Sequence, residues 1–197
     1  MKIYISWSGE RSKSVARILR ELISVALQNV DIFLSTNDIN SGASWVEIHS
    51  QWLTEADVGI LCLTSDNINN PWISFEAGAL YSSGKTLIPF LLDLSSADLD
   101  LPLAALQTVS FSKFGIKSIL QELNRRLDNP QKPEYISRVV DKLWSDFLKE
   151  IKSIPPPSKE TNLEKDTLGT GLKSERDLLY ELLERVKNLE LKTLKSE

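Results

Sequence analysis

The feature that most constrains this chain is an alternation of short apolar runs with longer stretches carrying one apolar face. Lys2–Ser6 is β-branched and aromatic, the composition of a strand. Residues 11–27 place Val15, Ile18, Leu19, Leu22, Ile23 and Ala26 at the spacing of one helix face. Residues 30–34 predict a second strand. Ser41-Gly42 punctuates a loop, and Ser44 stands where it can cap a helix carrying Val46, Ile48, Trp52 and Leu53. Val58–Leu63 is nearly all apolar, as suits a central strand covered on both faces. Asn70-Pro71 opens another helix, with Asn suited to the cap and Pro to the first helical position. Residues 86–92 predict a fourth strand, in which Pro89 implies a bulge or an unpaired position. Residues 107–111 predict a short fifth strand. Residues 116–127 and 135–151 predict two further helices.

Strands alternating with helices imply an α/β fold: a parallel sheet with helices on both faces. Five strands predict a flavodoxin-like order, 2-1-3-4-5. Pro155-Pro156-Pro157 ends this unit, so the expected domain is residues 1–152. Residues 153–173 read as a Pro-containing polar linker. Residues 174–197 read as a C-terminal amphipathic helix. Leu179, Leu182, Val186 and Leu189 are spaced 3, 4, 3, the seam of a short coiled coil.

Composition narrows the partners. A net charge of −4 and a pI near 5.2 argue against an extended nucleic-acid footprint, which needs a basic face. One cysteine makes no intramolecular disulfide, and with one histidine it makes no zinc cluster, so no metal is expected. The N-terminus lacks the apolar region of a signal peptide, and no apolar run reaches the length of a membrane span. The expected location is the cytoplasm, with no membrane partner.

Open parallel sheets bind ligands beyond the carboxyl ends of their strands, where strand order reverses. Here that crevice lies between strands 1 and 3. It is bordered by Ser6-Trp7-Ser8-Gly9 and by Thr64-Ser65-Asp66. The helix after strand 3 starts at the same edge. Trp72 and Glu76, four apart, share one of its faces. The core stripe of that helix is expected to be Ile73, Ala77 and Leu80, with Trp72 and Glu76 at its rim. A carboxylate at such a rim is partly desolvated, but from these residues alone Glu76 reads first as a solvated helical glutamate beside a packing tryptophan. Neither a G-x-x-x-x-G-K-[ST] loop nor a G-x-G-x-x-G turn is present. A phospho-acceptor receiver would need acidic residues after strand 1 and an aspartate ending strand 3. Those places hold Ser6-Trp7-Ser8 and Thr64-Ser65. His49 reads as a surface residue of the second helix, and Cys62 as core.

Two stretches carry a resemblance: KIYISWSGERSKSVARIL, and the run from VDIFLSTNDINSG through SDNINNPWISFEAGAL. Together they resemble the bacterial Toll/interleukin-1 receptor (TIR) domain family over roughly residues 1–150. Residues 38–45, Asp38 to Trp45, look like that family's BB loop. The W-x-x-x-E pattern of Trp72 and Glu76 matches the motif around the catalytic glutamate of TIR enzymes that cleave NAD⁺.

The resemblance implies NAD⁺ as substrate and no cofactor. Glu76 would orient the ribose hydroxyls and stabilise positive charge growing on the ribose. Trp72 and Trp7 would wall the reacting centre, and Ser6, Ser8, Asp38 and Trp45 would complete the substrate site. Nicotinamide leaves as a neutral group, so one carboxylate suffices where ordinary glycosidases need two. The resemblance also implies self-association, with the BB loop of a neighbouring protomer completing the site, an activator, and a role in bacterial antiphage defence or signalling. Two alternatives stay open: a non-catalytic interaction scaffold, and a nucleoside or ADP-ribosyl transferase.

Overall fold

The computed structural model describes residues 1–34 and 45–157, the side chains of residues 45–47 excepted. The chain runs β1 (Lys2–Ser6), α1 (Glu10–Ala26), β2 (Asp31–Leu34), α2 (Trp45–Glu55), β3 (Val58–Leu63), α3 (Pro71–Ser82), β4 (Thr86–Leu91), β5 (Val109–Ser110), α4 (Lys113–Arg125) and α5 (Pro133–Ser153). Two short 3-10 turns, Ser96–Asp98 and Leu103–Ala105, lie between β4 and β5. All strand pairs are parallel and the order is β2-β1-β3-β4-β5. This is the flavodoxin-like sheet that the alternation predicts.

Period-two side-chain alternation sorts the sheet into two faces. Ile3 and Ile5 of β1 join Leu19, Ile60, Ile119 and Val140 in the core beneath α1, α4 and α5. Tyr4, between them, points the other way and packs with Phe33, Leu53 and Leu80 under α2 and α3. Leu61, Leu63, Ile73 and Leu91 extend that second core beneath the 3-10 turns. Every residue of β3 is buried, as its apolar run requires.

Two local features set α3 against the sheet. The Asn70 side chain accepts a hydrogen bond from the Trp72 N–H at 2.8 Å, and Pro71 occupies the first turn. This satisfies one of the donors that a helix start leaves without a partner. Gly59 on β3 then allows close approach. A Cβ there would stand 2.6 Å from Leu80 Cδ1 and 2.9 Å from Leu87 Cδ1. Ile73, Ala77 and Leu80 form the buried stripe of α3, as its spacing predicts.

Some expectations change. Pro89 makes no bulge: β4 keeps register with β3 through Leu61↔Pro89. Pairing with β5 begins one residue later, at Phe90, so the missing N–H falls just before that ladder. β5 is shorter than expected, spanning Val109–Ser110. α4 starts earlier than predicted, because the Ser112 side chain caps it by accepting from the Gly115 N–H at 2.9 Å. The Ser44 cap, most of the linker and the whole C-terminal helix lie outside the described residues. Among the described residues, no helix is long and apolar enough to cross a membrane.

Candidate active site

The site begins with the pleat of β1. Tyr4 and Ser6 are two residues apart, so they face the same side of the sheet, the side that α3 covers. Glu76, in the second turn of α3, points back onto them. The Tyr4 hydroxyl donates to Glu76 Oε1 at 2.5 Å, and the Ser6 hydroxyl donates to Glu76 Oε2. From α2, His49 Nε2 lies 2.7 Å from Glu76 Oε1 and 2.5 Å from the Tyr4 hydroxyl. Tyr4, Ser6, His49 and Glu76 all have zero exposure. The rim position expected for Glu76 is therefore corrected: the carboxylate is fully enclosed. Close seating of α3 over Gly59 and the cover of α2 draw the whole face inward. A buried charge is costly unless it is hydrogen-bonded, and here donors reach both carboxylate oxygens.

The expectation of a surface His49 is also corrected. His49 is fully buried and holds Glu76. The signal was present in the sequence. His49, Trp52, Leu53 and Ala56 recur at i, i+3, i+4 and i+7, one helical stripe, and Leu53 and Ala56 are indeed buried. A lone polar residue on an apolar stripe points to a buried partner, and that partner is Glu76. The Tyr4 and Ser6 pairing was likewise readable from the period of the strand. Burial first, then the charge and hydrogen bond of Glu76, hold the Tyr4 phenol well above its ordinary range, so it remains a donor.

The other predicted residues separate. Trp72, expected at the rim, is 6% exposed. Its ring stands 4.9 Å from the His49 ring and 5.6 Å from Phe75, so it walls the Glu76 cluster through His49. Trp7 points to the opposite face of the sheet. It packs against the core beneath α1, with the Lys13 ammonium 5.4 Å from its ring centroid. Ser8 accepts from the Asn70 side chain at 2.7 Å and so links the β1 loop to the start of α3. Asp38 lies outside the described residues. Trp45 begins α2, and its side chain is likewise outside them.

A second polar group lines the carboxyl ends of the strands. Arg11 Nη1 contacts Asp66 and Asp93, each at 2.9 Å, and Arg11 Nε donates to the Pro155 carbonyl at 2.8 Å. Ser65 donates to Asp93 through both its hydroxyl and its backbone N–H. Burial works to raise the Asp93 carboxyl, but the hydrogen bonds of Ser65 and the Arg11 charge outweigh it and hold it below its ordinary range. Cys62 is buried, and burial pushes its thiol well up.

A cavity of about 630 Å³ lies at the opposite edge, lined by Met1, Asn29, Asp57 and Arg126 among others. That is the amino end of the strands, whereas parallel sheets of this kind place chemistry at the carboxyl end. Glu76 sits at the carboxyl end, beside Ser6, the last residue of β1.

Known proteins can be set against this geometry. The profile of the TIR domain family matches residues 3–127. Among solved structures, the fold is similar to a metazoan TIR-STING receptor from C. gigas in complex with 2′,3′-cGAMP. The identity is 16% and the TM-score 0.47, over 70% of this chain and 38% of that one. It is also similar to the TIR domains of the activated Roq1 resistosome directly recognizing the pathogen effector XopQ. There the identity is 13% and the TM-score 0.42, over 78% of this chain and 96% of that one. The chain thus spans 38% of the length of the TIR-STING receptor. No curated protein matches it. The matched residues run from β1 through α4 and take in Tyr4, His49 and Glu76 together; the chain belongs to the TIR domain family.

Proposed function

We propose that this chain cleaves the nicotinamide–ribose bond of NAD⁺, as a glycohydrolase or cyclase, with Glu76 as the catalytic carboxylate. One observation carries the reading. Among the described residues, one carboxylate, Glu76, is buried at the carboxyl end of the central strands, held by Tyr4, Ser6 and His49. Nicotinamide leaves neutral, so the barrier lies in positive charge growing on the ribose. A fixed negative charge in a dry, low-dielectric site acts strongly on that charge. Ser6 and Trp72 stand beside Glu76 in this scheme, as substrate-facing hydroxyl and wall.

Full burial sets a condition on the reading. Substrate reaches Glu76 only after the groups covering it move aside. A site that opens on assembly meets this condition, and self-association is part of the proposal. Specific activity then rises with protein concentration. Incubation of the purified chain with NAD⁺ over a range of protein concentrations, with free nicotinamide measured, tests the whole. Release by the wild type and none by Glu76→Gln is the expected result. No release by the wild type at any concentration or degree of crowding would overturn the enzymatic reading.

A second reading has its own observation. A carboxylate fully enclosed and satisfied by protein donors also suits a structural polar core that fixes how α2 and α3 pack. The chain would then be an interaction scaffold. Self-association without nicotinamide release is the result that favours it.

A further inference from the structure

We propose that His49 is the positioning residue of Glu76, with its Nε2–H directed at the carboxylate. The proposal rests on the NAD⁺ reading for its catalytic half. Its structural half stands on geometry alone.

Three atoms form a tight triangle: Glu76 Oε1, the Tyr4 hydroxyl and His49 Nε2, separated by 2.5, 2.5 and 2.7 Å. The Tyr4 hydroxyl has one hydrogen, and it donates to Oε1. If Nε2 carried a lone pair, that lone pair would face the carboxylate lone pairs at 2.7 Å, which is repulsive. A hydrogen on Nε2 turns the same contact into attraction. The carboxylate then accepts from Tyr4 and His49 on one oxygen and from Ser6 on the other. Ring contacts hold the imidazole in place, with Tyr4 at 5.5 Å, Phe33 at 6.3 Å and Trp72 at 4.9 Å.

β1 presents Tyr4 to the ring, α3 presents Glu76 and Trp72, and β2 presents Phe33. The Nε2–H held this way fixes the carboxylate in the orientation that would face the developing ribose cation.

The chain contains one histidine, so ¹⁵N-histidine labelling gives one imidazole spectrum. The expected spectrum shows Nε2 protonated, and its resonances move in Glu76→Gln. An unprotonated Nε2, or a spectrum unmoved in a folded Glu76→Gln, overturns the pairing. Nicotinamide release tests the rest. His49→Gln keeps an N–H near the Nε2 position and is expected to retain most activity. His49→Leu is expected to lose about 10² in kcat, as when one fixed donor is removed, with KM little changed. Wild-type turnover by His49→Leu, or a His49→Gln as inactive as His49→Leu, overturns the proposal. A wild type that releases no nicotinamide overturns the NAD⁺ reading, while the imidazole spectrum still decides the pairing.

Discussion

His49 Nε2 stands 2.7 Å from Glu76 Oε1, and neither side chain has any exposure. The contact joins α2 to α3 across the face of β1. Neither group can turn to water if the other is removed, so substitutions here act on stability and on chemistry at once.

Glu76→Gln keeps the shape and removes the charge. Its carbonyl can accept from Tyr4 and His49, and its amide can donate to the Ser6 hydroxyl, which rotates to accept. The variant is therefore expected to fold, with a loss of about 1–3 kcal/mol for weaker hydrogen bonds to a buried acceptor. Nicotinamide release is expected to fall by more than about 10². A folded variant, checked by thermal melt, that turns over NAD⁺ within a few-fold of wild type would remove Glu76 from the mechanism.

Trp72→Ala opens a cavity beside His49 and Phe75. Truncating a buried tryptophan costs about 3–5 kcal/mol. Trp72→Phe retains ring contact with His49 and is expected to recover most of that loss. Chemical denaturation of both variants measures the stability. Nicotinamide release from the folded fraction at low temperature measures the chemistry. If Ala and Phe melt alike, the ring contact is not what stabilises this face.

Tyr4 predicts an alkaline limb of stability. Its folded pKa is raised above the ordinary 10.0, so the folded state keeps a proton that the unfolded chain releases. That contribution is fully present below about pH 10 and is lost as pH rises above it. Cys62 adds a similar loss from its ordinary 9.0 upward, so the comparison is made with Cys62 unchanged. Tyr4→Phe is expected to be less stable at neutral pH and to lose stability less steeply above pH 10. Parallel alkaline slopes would contradict the raised phenol.

Asp93 predicts the opposite limb. Its folded pKa lies below the ordinary 3.8, so the unfolded chain binds its proton first as acid is added. The stability it contributes is present above about pH 4 and is lost as pH falls through the folded value. Because Asp93 is partly exposed, the size is modest, under about 1 kcal/mol. Asp93→Asn is expected to melt slightly lower at neutral pH and to show a flatter acid slope. Identical slopes would show that the Arg11 and Ser65 contacts add nothing in solution.

Much of the fold was legible in the sequence because its signals are local. The all-apolar run of β3, the Asn70-Pro71 start of α3 and the 3.6-residue stripe of α1 each state their element within a few residues. The strand–helix alternation then leaves few topologies, and the order β2-β1-β3-β4-β5 is one of them. Boundaries were less legible. β5 keeps only Val109–Ser110, because a strand ends where its neighbour stops pairing with it, and no residue announces that.

For the site, the sequence by itself determined the types and the faces. Tyr4 and Ser6 share a side of β1, Glu76 lies one turn from Trp72, and His49 falls on the stripe of Trp52, Leu53 and Ala56. Only the tertiary structure decided how deep they lie and which of them meet. Residues 4, 49 and 76 come from three elements, and their approach depends on sheet order and on Gly59 letting α3 sit close to β3. Depth then decides chemistry. The same glutamate is an ordinary solvated charge at a helix rim, and a fixed, guarded charge when Tyr4, Ser6 and His49 enclose it. Strand alternation also decided against grouping Trp7 with them, since one residue past Ser6 the side chain faces the other layer.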